Sequence, residues 1–537
     1  MKTQLKADMI LSSNAVFTGL ANEPTAAAIA IIGNKIAAIG SESEIEPYIG
    51  AETKIYRYDD KLIMPGFHDF HLHIMAGCIS MNSAYLFDAR TEEEAVEMVR
   101  AHAEAHPDEP WVIGFCWDSG YWDNKKLPHR SSLDRLLPDR PVVLFHAEAH
   151  YCWVNSKALE LLNITRDTDN PPFGIIEKDE NGELTGILYE SAMSLVLKAA
   201  FDFSPERKRE MLKGFLEHAA SLGITSVHDL FAPDFNDSPA NFELYRELEE
   251  RGELTLRIHL WPELDGDLER VKQLRDTYQS SILRFAGLKQ FIDGVITGYT
   301  AYMLEPYSDK PETRGKMKFP VETIKKWVID ADREGFSIRF HAIGDGAIRL
   351  ALDAYEAAQQ ANGARDSRHM IEHVEVIHPD DIPRFKQLGV IASMQPNHLA
   401  MSERGVYTSR IGAQRERHVF VIHTLKQSGA KLAFGTDFPV DTLNPLPQIY
   451  RAVTRVDNSG VDVWHPQERI TLAEALRAYT SVPAYGTFRE HELGTLEVGK
   501  LADIVVLDRN LFAVPAEQIL EAKVELTIVD GEIVYAR

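Results

Sequence analysis

A chain of 537 residues is too long for one compact core, so one catalytic-sized domain of roughly 250 residues or more with added layers or a second domain is expected. Apolar residues at 45% and charged residues at 26% exclude the disordered and fibrous classes. A formal net charge of −24 excludes polyanionic partners, because nucleic-acid affinity comes mostly from clustered Lys and Arg.

The chain opens with Met1-Lys2-Thr3-Gln4-Leu5-Lys6 and runs straight into a strand-like segment, without the apolar core or cleavage site of a signal peptide. The longest apolar stretches, such as Ala26 to Ile32, fall far short of the about 20 residues that a membrane span needs. A cytoplasmic protein with no membrane contact is expected. From Ala7 to Ile63 short strands alternate with turns, and two apolar runs flank Gly33-Asn34 as a hairpin. The C-terminus has the same texture in Leu501 to Leu507, Leu526 to Val529 and Glu532 to Tyr535. The two ends, residues 1–65 and 490–537, are therefore expected to build one composite β-sandwich domain that brackets a large middle, residues 66–489.

In the middle, a unit recurs in which an amphipathic helix stops at Gly and a short apolar strand follows. Ser204 is an N-cap candidate and Pro205 suits the first helical position, while Met211, Leu212, Phe215, Leu216 and Ala219 share one face. Gly223 then permits the left-handed turn before Ile224 to His228. The same stop recurs at Gly252, Gly335, Gly389 and Gly429. Strands alternating with helices imply parallel pairing, and the expected α/β fold is a (β/α)8 TIM-like barrel. Its strands are centred near Phe70, Val227, Ile258, Gln290, Arg339, Ile371, Ser393 and Gly435. An open doubly wound sheet is the alternative, and the lack of a Gly-rich phosphate loop after any strand weakens it.

Residues 75–203 fall between the first two of these strands and are too many for a plain loop. They carry strand signals at Trp111 to Cys116 and Val142 to His146, together with Trp117, Asp118, Tyr121, Trp122, His150, Trp153 and Asn155. An inserted subdomain on the catalytic face is expected. Cys78, Cys116 and Cys152 match neither a zinc-finger spacing nor a disulfide framework and read as small buried hydrophobes.

The chemistry begins at Pro65-Gly66-Phe67-His68-Asp69-Phe70-His71-Leu72-His73. Residues two apart on a strand point the same way, so His71 and His73 can bind one cation side by side. Alone this pair is weak, since the chain has 20 histidines. It sharpens because Lys289, His341, His373 and Asp437 stand at the ends of later predicted strands, where barrel enzymes carry their reactive groups. A charged Lys or Asp at a buried strand end is costly unless paired or metal-bound.

The runs PGFHDFHLH, GLKQFIDG, HAIGD, IEH and GTDFPV, in this order, resemble amidohydrolase family 3, the YtcJ-like branch that includes N-substituted formamide deformylases. The resemblance covers nearly the whole chain. His68 departs from it, standing where the family usually has an apolar residue. The resemblance implies a binuclear zinc-type site in which His71 and His73 share one ion with Asp437, while His341 and His373 hold the second. Lys289 would bridge the two as an N-carboxylated lysine. The other reading of Lys289 is a salt bridge to Asp293 or Asp437 beside a single ion, where His373 would instead orient water or the carbonyl. Paired ions make hydroxide available near neutral pH, and Asp437 is the expected proton shuttle.

His150 and Asn155 are expected on the substrate side, His228 and Asp229 either at the substrate or in support of the ligands, and Trp117, Tyr121 and Trp122 either along an apolar pocket or in simple packing. The expected activity is hydrolysis of a C–N bond in an amide, N-formyl or cyclic amide compound. Deamination or ester hydrolysis on the same site is the second enzymatic reading, and a non-catalytic regulatory barrel the third. Imidazole and carboxylate ligands suit zinc, iron, nickel and manganese alike. The expected partner is a small-molecule substrate, and a homodimer is the default assembly.

Overall fold

The computed structural model describes residues 5–232, 239–401, 404–457 and 459–537. Eight short strands form its inner layer: β1 (Phe67–Leu72), β2 (Ile224–Leu230), β3 (Arg257–Trp261), β4 (Leu288–Phe291), β5 (Ile338–Ala342), β6 (Met370–His373), β7 (Ile391–Met394) and β8 (Lys431–Phe434). All neighbouring pairs are parallel, in one ladder β1–β2–β3 and a second ladder β4–β5–β6–β7–β8. Single parallel bridges, Glu263 to Lys289 and Leu72 to Phe438, connect the two ladders at both ends. This is a TIM-barrel-like arrangement carrying extra layers. Helices of ten to eighteen residues, such as Pro205–Ser221 and Asp345–Asn362, cover the outside.

Local sequence explains these units. Ser204 accepts a hydrogen bond from the Arg207 amide and Pro205 fills the first helical position, so the helix starts there. It ends at Gly223, with φ +77, where a Cβ would come within 2.5 Å of the Val505 side chain. Only glycine meets both demands. The last inner strand is shorter than its sequence pattern suggested, since Gly435 lies one residue beyond it. A Cβ on Gly435 would sit 2.4 Å from the His71 amide nitrogen, so this glycine is where the chain closes up against β1.

Both ends of the chain meet in one eight-stranded sheet. Leu62–Pro65 pairs antiparallel with Ile504–Leu507, and the hairpin Thr25–Ile32 to Lys35–Gly40 turns at Gly33-Asn34. Arg257, fully buried at the start of β3, ties this sheet to the inner layer through Asp503 at 2.6 Å and Asp530 at 2.7 Å. The long segment after β1 has a six-stranded sheet of its own and an apolar core that includes Trp117, Trp122 and Trp153. Cys78, Cys116 and Cys152 are buried, and no disulfide joins them among the described residues. Among the described residues no helix is long and apolar enough to cross a membrane.

Candidate active site

The two ends of the inner layer meet at Asp437. Its Oδ1 lies 3.1 Å from His71 Nε2 and 3.3 Å from His73 Nε2, and its Oδ2 lies 3.9 Å from His373 Nδ1. The rings of His71 and His341 are 5.0 Å and 4.5 Å from that of His373. His71, His373 and Asp437 offer ligand atoms within 4.8 Å of one another. His71, His73, His341, His373 and Asp437, separated by hundreds of positions, therefore share one buried mouth, while Lys289 is buried without lining it. His373 (φ +73) and Asp437 (φ +61) both hold left-handed backbone, a strained conformation that turns each side chain inward as its strand ends.

The donor set suits a cation. Lys289 Nζ and both ring nitrogens of His373 are buried with no hydrogen-bond partner among the described residues, a costly arrangement unless a further group satisfies them. Two imidazoles are oriented by their outer nitrogens: His73 Nδ1 donates to the Leu230 carbonyl at 2.8 Å and His71 Nδ1 to Glu372 at 2.6 Å, which turns each Nε2 toward Asp437. His341 Nε2 donates to the Gly294 carbonyl at 3.1 Å and keeps its Nδ1 for another partner. Burial pushes His341 and His373 well below the ordinary imidazole range, and lowers Lys289 to about 7. Burial alone would raise Asp437, but His71, His73 and His373 hold it well below the usual carboxylate range.

The expected alternative of a Lys289–Asp293 salt bridge is not formed. Asp293 instead accepts three backbone amides, from Tyr302, Ile343 and Gly344, at 2.9 to 3.1 Å, and burial raises it to about 8.

Beneath the ligand-type residues runs a polar chain of which the sequence had singled out only His68 and His228. Glu372 Oε1 accepts from Arg339 Nε at 2.7 Å, and Arg339 reaches the Phe70 carbonyl at 2.9 Å and His228 Nδ1 at 3.1 Å. Trp261 Nε1 donates to the same His228 nitrogen at 2.9 Å. With two donors on Nδ1, the His228 proton must sit on Nε2, which faces His68 Nε2 at 2.9 Å. The group His68, His228 and His259 thus has the spacing of a metal site, but that proton occupies the position a cation would need. It is a hydrogen-bonded layer inside the strands, and it accounts for His68. His228 consequently does not reach the cavity. Asp229 accepts from the Ile74 amide at 2.8 Å and Tyr245 at 3.0 Å, anchoring the helix that begins after His73.

A cavity of about 290 Å³ opens above Asp437. The inserted segment supplies Glu148, His150 and Glu190 to it, and the loops after β6 and β7 supply Glu375, His398 and Tyr407. His150 is on this side, its Nδ1 3.0 Å from Glu190 and its ring 5.5 Å from that of His341. Asn155 is not. It is fully buried as an N-cap, accepting from the Ala158 and Val142 amides at 3.0 Å and donating to the Leu137 and Arg140 carbonyls. Trp117 is also away from the cavity: its Nε1 donates to the Leu144 carbonyl at 2.9 Å and its ring packs 5.9 Å from Trp122 and 6.1 Å from Trp153. Tyr121 lines a separate cavity of about 600 Å³. The missed cavity residues had one signal, since Gln395-Pro396-Asn397-His398 follows an inner strand to which no reactive residue had been assigned.

The model of the amidohydrolase family matches residues 59–535. Protein LONG AFTER FAR-RED 3 of Arabidopsis thaliana is 32% identical, over 98% of this chain and 92% of its own. N-substituted formamide deformylase of Arthrobacter pascens is 28% identical over 100% of this chain and 99% of its own. The crystal structure of an uncharacterized metal-dependent hydrolase from Pyrococcus furiosus is similar with a TM-score of 0.73 at 28% identity, covering 94% of this chain and 99% of that one.

Proposed function

The chain belongs to the amidohydrolase family and is a metal-dependent hydrolase of carbon–nitrogen bonds, and from that premise we propose that it cleaves an amide, N-formyl or cyclic amide substrate at a two-ion centre. The observation that carries this reading is the contact of Asp437 with His71 and His73, at 3.1 and 3.3 Å across the full length of the inner layer. In this reading His71, His73 and Asp437 would hold one ion and His341 and His373 the second, with zinc as the metal. Lys289, as a carbamate, would supply a further ligand to the centre. Its amine, lowered to about 7 by burial, has a substantial neutral fraction at physiological pH, and the neutral amine is the form that adds CO2 and releases a proton. A carbamate would also give the otherwise unpartnered Lys289 Nζ environment two anionic oxygens.

When bound, such ions lower the pKa of water and polarise a scissile carbonyl. The remaining work belongs to the protein. Asp437, ionised at neutral pH, accepts the proton of the attacking water and hands it to the leaving nitrogen. Glu372 keeps His71 in its ligating tautomer, and His150 contributes to the substrate side of the cavity. In the same reading the two connecting bridges close β1 to β8 into a ring. Residues 1–65 and 490–537 form one β-sandwich domain, residues 66–489 the barrel, and about 75–203 its inserted subdomain. The protein acts in the cytoplasm on a small molecule, as a homodimer.

The test is metal analysis combined with turnover. About two zinc ions per chain, with cleavage of N-formyl amines lost to a chelator and restored by zinc, is expected. A folded protein that binds no divalent metal would end the proposal, and deaminase turnover without amide cleavage would replace its substrate class.

A further inference from the structure

The second cavity, of about 600 Å³, lies between the inserted subdomain and the loop after β4, and the reading above makes no use of it. The helix Arg404–Glu416 serves both cavities, carrying Tyr407 to the catalytic one and Val406 and Arg410 to the second. Thr297, which lines the second, donates its hydroxyl to Glu148, which lines the first. In a chain of net charge −24 the second cavity holds an excess of cations, Lys125, Lys310 and Arg410 against Asp118 and Glu177. Both of these carboxylates are engaged. The Glu148 amide donates to His146 Nδ1 at 3.2 Å, so the His146 proton sits on Nε2, 3.4 Å from Asp118 Oδ1, and that oxygen also accepts from the Gly120 amide at 2.7 Å. Glu177 accepts from the Thr185 hydroxyl at 2.6 Å. Arg410 has no ion-pair partner among the described residues; it donates to the Ile296 carbonyl at 3.3 Å, and its guanidinium lies 4.5 Å from the centre of the Tyr299 ring. Tyr151, only 9% exposed, lines the same cavity, and its hydroxyl has no hydrogen-bond partner among the described residues. A buried hydroxyl and a guanidinium without a counter-charge, facing one cavity, call for an acceptor that is also an anion.

We propose that this second cavity is a binding site, separate from the catalytic cavity, for an organic monocarboxylate with an aromatic body. Arg410 pairs with the carboxylate, whose two oxygens match the planar fork of a guanidinium, and the Tyr151 hydroxyl donates to it. The aromatic body lies against the apolar side chains of the lining, Leu127, Ile175 and Val406, of which Leu127 and Ile175 are exposed although large and apolar. A dianionic phosphate fits less well, because Asp118 and Glu177 in the same lining repel the second charge.

The experiment is calorimetry on the full chain with 2-naphthoate and its uncharged counterpart 2-naphthylmethanol. Wild type should bind about one naphthoate per chain, and the alcohol at least about tenfold more weakly, the worth of one charge-assisted hydrogen bond. R410Q should weaken naphthoate binding by about 10- to 100-fold and leave the alcohol unchanged, while R410K, which keeps the charge without the fork, should fall between. Y151F, which keeps the ring, should cost naphthoate about five- to tenfold. Treatment with a chelator should leave the affinity as it was, which separates this site from carboxylate binding at a metal centre. Thermal melting checks that each variant is folded, and if R410Q is not, R410K and Y151F carry the test. No saturable binding of naphthoate by wild type, equal binding of the alcohol, the same affinity in folded Arg410 and Tyr151 variants, or binding abolished by the chelator would each overturn the proposal.

Discussion

His71 Nδ1 and Glu372 Oε2 lie 2.6 Å apart, both almost wholly buried, although 301 positions separate them in the chain. Burial alone would raise the Glu372 carboxyl, but Arg339 and His71 bring it down to about 2, so it is held as an anion beside the proposed metal ligands. Glu372→Gln removes that charge and is expected to weaken metal binding by about 10- to 100-fold, read by competition with a chelator of known affinity. The metal-free variant should also melt lower, because Arg339 is left as a buried cation without its counter-charge. Unaltered metal affinity would remove Glu372 from the centre.

Lys289→Ala takes away the atom on which a bridging carbamate would form. Metal content should fall from about two ions to about one, and added formate or acetate should restore part of the activity by supplying a free carboxylate. Lys289→Arg, charged at every accessible pH, should not respond to added carboxylate. Two ions retained in the alanine variant would speak for an unbridged pair, and one ion already in the wild type for the single-ion alternative.

Asp437→Asn preserves shape while abolishing the proton acceptor. At saturating substrate and with metal resupplied, kcat should drop by about 10²- to 10⁴-fold. A loss smaller than tenfold would assign the proton transfer to another group.

Asn155→Ala distinguishes a cap from a substrate contact. Asn155 satisfies two amides and two carbonyls, so its removal should lower stability by about 1 to 2 kcal/mol in denaturant unfolding and leave KM unchanged. A raised KM with unchanged stability would return it to the substrate.

Asp332 provides a pH signature remote from the cavity. It is 3% exposed and sits 2.7 Å from Arg365 Nε and 3.2 Å from His369 Nε2. Burial alone would raise it, but His369, Asn362 and Arg365 lower it to about 2, from an ordinary 3.8. A depressed folded pKa stabilises above the unfolded value and is lost as pH falls through the folded one. Roughly 2 kcal/mol should therefore be present above pH ~4 and disappear toward pH ~2. The stability gap between wild type and Asp332→Asn should be widest above pH ~5 and narrow below pH ~4, and a gap that stays constant would refute the pairing.

Some of this was legible without coordinates. The caps at Ser204, the stop at Gly223 and the hairpin at Gly33-Asn34 depend on a few neighbouring residues, and the period of two on β1 put His71 and His73 on one side. The motif order from PGFHDFHLH to GTDFPV was enough to bring the family into view. Side-chain identity, however, does not say which way a residue faces in an irregular or inserted segment. Asn155 was expected on the substrate side from the family resemblance and Trp117 either along a pocket or in simple packing, and long-range packing put both in the interior of the insert. His398, Glu375 and Tyr407 come from a short helical turn, a loop and a helix beyond the inner strands, with no shared periodicity, and His68, His228, Arg339 and Glu372 could not be read as one network because each partner comes from a different strand. Local hydrogen bonding and steric preference are written in adjacent residues, whereas convergence on a shared cavity is decided only when distant strands are brought side by side.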